Sequence, residues 1–155
     1  MAFRSAKFNQ RIALTDYLLS GKSKTQHSQN ITRVSATGGT ILTPGNGYRY
    51  HIFTTNGTLT VGNGGYIDYV IVGGGGAAGT SYGGGGGAGG YRTGTSLSVT
   101  PGSTITVTVG AGGAGNAPSP LGQFGGDGSN TGIFSASPFP SIWSNGGGGG
   151  AWSGS

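Results

Sequence analysis

The 155-residue chain holds 38 glycines but only 6 prolines, 7% of its residues are charged, and it carries a formal net charge of +5 with no cysteine. This excludes disulfides, thiol catalysis and thiolate metal sites, a collagen-like Gly-X-Y repeat, which needs abundant proline, and a tail kept in solution by dense charge. No apolar run is long enough to span a bilayer as a helix. The stretch from Ile12 to Leu19 does not read as a secretory leader, because Thr15 and Asp16 interrupt it.

The charge is unevenly placed. Arg4, Lys7, Arg11, Lys22, Lys24 and Arg33 fall at the start with Asp16 as the sole acid, whereas beyond Val34 only Arg49, Asp68, Arg92 and Asp127 are charged, and they cancel. The asymmetry divides the chain into an N-terminal anchoring arm, residues 1–35, and a glycine-rich β-domain, residues 36–155. Within the arm, 9–20 is predicted as a short helix carrying Ile12, Leu14, Tyr17, Leu18 and Leu19, with Gly21 placed to end it in a left-handed C′ conformation. Residues 21–30 read as an extended polar linker. Arg4, Lys7, Phe8, Arg11, Tyr17, Lys22 and Lys24 form the expected docking set, in which cations steer toward an acidic protein surface and rings anchor. They are sparser than the basic runs of nucleic-acid arms, so nucleic acid is not the expected partner.

From Ile31 onward the apolar period becomes two. Tyr48, Tyr50 and Ile52 alternate with Arg49, His51 and Phe53, and Asn56-Gly57 predicts a two-residue hairpin leading into a strand with Leu59 and Val61. A second turn is expected at 62–65. The strand after it is largely apolar on both faces, Ile67, Tyr69 and Ile71 against Asp68, Val70 and Val72, which predicts an interior position in a sheet. Pro101-Gly102 predicts a turn with proline at i+1 and glycine at i+2, followed by a strand facing inward through Ile105, Val107 and Val109. The fold class is therefore mainly β: a small antiparallel sandwich-like domain with glycine-rich loops.

The glycine block at 73–90 poses a separate question, because ordering glycine costs more backbone entropy than ordering any other residue. Either it is a flexible linker, or its segments adopt the threefold polyglycine-II helix, whose bare backbones can approach closely enough to bond one another. Serine is scarce in the blocks, and Tyr82, Tyr91, Phe124, Trp143 and Trp152 recur beside glycine, which favours packed structure. Thin single-chain cores of this kind commonly depend on oligomerisation.

The succession YHIFTTNGTLTV, YIDYVIVGGGGAAG and GGGGGAGGYRTGTSLSVTPGSTITVTVGAGG resembles the glycine-rich domain of bacteriophage tail-fibre, tail-appendage and other virion structural proteins, over about residues 36–152. The resemblance implies a β-rich virion component, homotrimeric, located in the tail. Its N-terminal arm would dock to other tail proteins and its glycine-rich domain would serve as a rigid spacer and adhesive module. In phage adhesins with packed polyglycine helices the glycine stretches are more numerous, so a spacer is expected here ahead of a receptor tip. The alternatives are a capsid decoration protein and a carbohydrate-binding module at the host surface, the latter using Tyr82, Tyr91, Trp143 and Trp152 as stacking rings.

Other motifs read as structural. Gly74, Gly76 and Gly79 satisfy G-x-G-x-x-G, but no helix pattern and no acid about twenty residues on accompany them. Glutamate is absent and the three aspartates are far apart in sequence, so no acid–base pair is expected. Asp68 is read as a strand residue facing solvent or Arg49. His27 and His51 lack partners at zinc spacing; only a trimer axis gathering three copies of His51 would make a metal site. No enzyme, cofactor or metal is expected.

Overall fold

Strand after strand buries alternate residues, and this alternation builds a two-layer sandwich in the computed structural model, which describes residues 33–116, 122–135 and 139–152, together with the backbone of 2–5. Among the described residues there are ten strands: β1 (Ala2–Ser5), β2 (Ser35–Thr37), β3 (Thr40–Leu42), β4 (Tyr50–Ile52), β5 (Gly57–Asn63), β6 (Gly65–Val72), β7 (Tyr91–Val99), β8 (Thr104–Thr108), β9 (Thr131–Ser135) and β10 (Ile142–Ser144). One sheet has the order β3-β4-β1-β6-β7 and the other β10-β9-β8-β5-β2, with every pairing antiparallel. No helix occurs among the described residues. The helix expected over 9–20 lies outside them.

The inner faces meet in one apolar core. Leu59 and Val61 of β5, Ile105 and Val107 of β8 and Ile133 of β9 face Ile67, Tyr69 and Ile71 of β6 and Val99 of β7. As expected, β6 has neighbours on both sides, and Gly102 takes φ 75° in the Pro101-Gly102 turn, where Ser103 N–H bonds back to the Thr100 carbonyl at 3.2 Å.

Three local readings differ. Asn56-Gly57 closes no hairpin, because β4 and β5 lie in opposite sheets and neither residue has the positive φ a type I′ turn needs. Instead the chain crosses between layers, and Asn56 Oδ1 accepts the Val109 N–H at 2.8 Å. His51 points into the sandwich with Phe53, buried, its Nδ1 2.9 Å from the Gly38 carbonyl; a carbonyl can only accept, so Nδ1 carries the proton. A ring so enclosed cannot gather with its copies on a trimer axis. Residues 2–5, assigned to the arm, form β1 between β4 and β6, with Arg4 opposite Tyr50 and Asp68 in the register.

Candidate functional site: the glycine bundle and its two poles

Five glycine-rich segments continue five strands: 73–79 prolongs β6, 84–90 leads into β7, 110–115 prolongs β8, 123–130 leads into β9 and 145–151 prolongs β10. All five project from one end of the sandwich, because β6, β8 and β10 run toward that end while β7 and β9 run away from it. There they bond one another with a period of three. Gly73, Gly76 and Gly79 donate to the carbonyls of Gly90, Gly87 and Gly84, and Gly74, Ala77 and Thr80 donate to Ser129, Gly126 and Gln123, at 2.8–3.0 Å. Gly147 and Gly150 donate to Gly74 and Ala77 in turn, and Gly113 to Gly75. The first segment is thus bonded to all four others.

A strand sends its N–H and C=O groups to two sides in one plane and so makes a layer. A threefold helix turns them by about 120° per residue and so can be surrounded. None of the glycines in 73–90 has a positive φ. They are glycine because of space. A Cβ on Gly73 would lie 2.7 Å from the Asn145 carbonyl carbon, and one on Gly76 2.5 Å from that of Gly148, each closer still to the oxygen. On the outside the restriction lapses: a Cβ on Gly75 meets nothing nearer than 3.8 Å, and Ala78, Ala88, Ala111, Ala114 and Ala151 occupy exposed positions of the same runs.

At the junction with the sandwich and along the bundle, side chains hold the remaining N–H groups. Thr131 Oγ1 accepts from Gly110 at 2.9 Å, Asn130 Oδ1 from Gly146 at 2.9 Å and Asp127 Oδ1 from Gly149 at 2.7 Å. Asp68 Oδ1 accepts the Ser96 N–H at 3.0 Å where β7 bulges. Both described aspartates therefore hold backbone, and among the described residues no three His, Asp, Glu or Cys side chains converge as a metal set. No described helix is long and apolar enough to cross a membrane.

Of the four candidate rings, Trp143 packs edge-on against Phe134 with centroids 4.3 Å apart and covers Gly132, and Trp152 lies over Gly122. Tyr91 is 68% exposed on β7 opposite Val72, and Tyr82 is 94% exposed at the far end of the bundle. That end also carries Phe124, which the sequence placed among the rings packed beside glycine and not among the stacking candidates, and which is 64% exposed. In the docking set only Arg4 is described, on β1. Lys7, Phe8, Arg11, Tyr17, Lys22 and Lys24 lie outside the described residues, in a stretch whose two ends, Ser5 and Arg33, are both at the pole opposite the bundle.

A family defined as the glycine-rich domain matches residues 53–155, which includes β5 to β10 and all five glycine segments. The chain belongs to this glycine-rich domain family. No curated protein and no solved structure matches it. In this glycine-rich domain the matched region is thus the part in which strand and threefold helix are one continuous unit.

Proposed function

We propose that the protein is a virion structural component, a phage tail fibre or tail-attached appendage, in which the glycine bundle is a stiff, side-chain-poor extension. The observation that carries this reading is the separation of poles. Every glycine segment leaves the sandwich at one end, and the cationic stretch between Ser5 and Arg33 is tethered by both its ends at the other. A cation-rich stretch whose two ends lie at one pole, and a projecting bundle with Asp127 as the one charge among its described residues, suit a part that is fixed at one end and presents the other.

The chain's first residues belong to the sheet rather than to the docking stretch, because β1 pairs with β4 and β6. Removing 1–33 would therefore take out an interior strand together with the docking groups. The informative change is neutralisation of Lys7, Arg11, Lys22 and Lys24 to serine in the intact chain. Particles should then lose the protein while the purified protein keeps its melting temperature; unchanged incorporation would refute the anchor. Immunogold labelling of intact particles should mark the tail, and label on the head would favour the decoration reading.

The two outer faces support self-association through one sheet. The β5–β8 face presents Thr58, Thr60, Thr104 and Thr106, whereas the opposite sheet turns Leu42, Tyr66, Val72 and Tyr91 outward. Val72→Glu should lower the mass measured by sedimentation if this face joins the copies of a trimer.

A further inference from the structure

We propose that the far end of the glycine bundle is a binding face for neutral saccharides, with the rings of Tyr82 and Phe124 as stacking platforms. The inference rests on the appendage reading above, in which the bundle is the presented end, and adds the ligand class and the residues.

Three observations converge on this end. The first is exposure: Trp143 and Trp152 are consumed in covering glycine, yet Tyr82 and Phe124 stand out at 94% and 64%. They belong to the same end of the bundle, because Thr80 and Gln123 are joined twice, Thr80 N–H to the Gln123 carbonyl at 3.0 Å and Gln123 N–H to Thr80 Oγ1 at 2.7 Å.

The second is strain. Ser81, the residue that lifts Tyr82 from the bundle, sits at φ 59°. In a run where glycine stands on nearly every side, the position that would most welcome glycine carries a side chain. A non-glycine residue seldom adopts this region, and among the described residues Ser81 and Ser96 do so, the latter where β7 bulges. The turn is held in place by the bond from Gly83 N–H to the Thr80 carbonyl at 3.1 Å.

The third is charge. Among the described residues of this end, 80–84, 116, 122–124 and 151–152, none is acidic or basic, and Asp127 further down is bound to the Gly149 N–H. A phosphorylated, sialylated or nucleic-acid ligand would find no cation, and single-stranded nucleic acid needs a basic groove beside its stacking rings. Ring faces beside the amide of Gln123 match a ligand that is polar, uncharged and rich in C–H surface.

The test uses the full chain on an array of neutral and acidic glycans. Neutral glycans should bind, with Tyr82→Ala and Phe124→Ala each weakening binding at least tenfold and Thr106→Ala, on the outer threonine face of the sandwich, leaving it unchanged. Since Tyr82 supports nothing around it, its variant should keep the wild-type melting temperature. Retention of only acidic glycans, no retention at all, or equal loss in the Thr106 variant would overturn the proposal. Tail labelling of the particle is read separately, so an unreactive tip on a tail-located protein would remove the ligand and leave the appendage.

Discussion

The sandwich and the glycine bundle are built from the same chain segments and solve burial in opposite ways. In the sandwich, side chains such as Ile71, Ile105 and Ile133 fill the space between two layers, and backbone groups are satisfied within each layer. In the bundle the buried material is the backbone itself: Gly73, Gly74, Gly147 and Gly150 are buried, and their neighbours are other carbonyls. The sandwich tolerates a change of side chain according to volume. The bundle tolerates it according to direction: in 73–79 and 145–151 an added Cβ finds room only at every third position, as at Gly75 and Gly148.

This difference can be broken at several points. The largest effect belongs to the sandwich, where Ile133→Ala opens a cavity at a fully buried site and should cost about 2–5 kcal/mol in urea unfolding. In the bundle, Gly76→Ala should cost about 1–3 kcal/mol or more, because its Cβ meets the fixed backbone of Gly148. Gly75→Ala, one residue away and facing outward, should be neutral or stabilise by about 0.4–1 kcal/mol through the unfolded chain. Equal losses at 75 and 76 would mean that the segments are not threefold. Asp127→Ala, which frees the exposed Gly149 N–H, should cost about 0.5–1.5 kcal/mol. Thr106→Val on the outer threonine face should move stability by no more than about 0.5 kcal/mol.

How far the sequence revealed this depended on whether the signal was local. The Pro101-Gly102 turn and the inward set Ile105, Val107 and Val109 are written in adjacent residues, and the structure has them. The interior place of β6 was legible because both its faces are largely apolar. Asn56-Gly57 misled because alternation tells which side of a strand is buried and not which layer the strand joins. The sequence AFRS was unreadable as β1, since four residues beside a basic stretch carry too little pattern, and only the partners β4 and β6 define it. His51 is inside because a backbone carbonyl released at the Gly38 crossing needs a donor, a demand set by tertiary structure. Rings beside glycine were visible, but whether each covers backbone, as Trp143 does, or projects, as Tyr82 does, depends on which segments end together.

Amide hydrogen exchange across 73–80 tests the threefold bundle most directly. Among the described residues, Gly73, Gly74, Gly76, Ala77, Gly79 and Thr80 donate to neighbouring segments, and Gly75 and Ala78 do not. The account predicts slow exchange at the first six and fast exchange at the other two, a pattern of two protected amides and one open. Fast exchange throughout, or protection alternating every second residue, would contradict it.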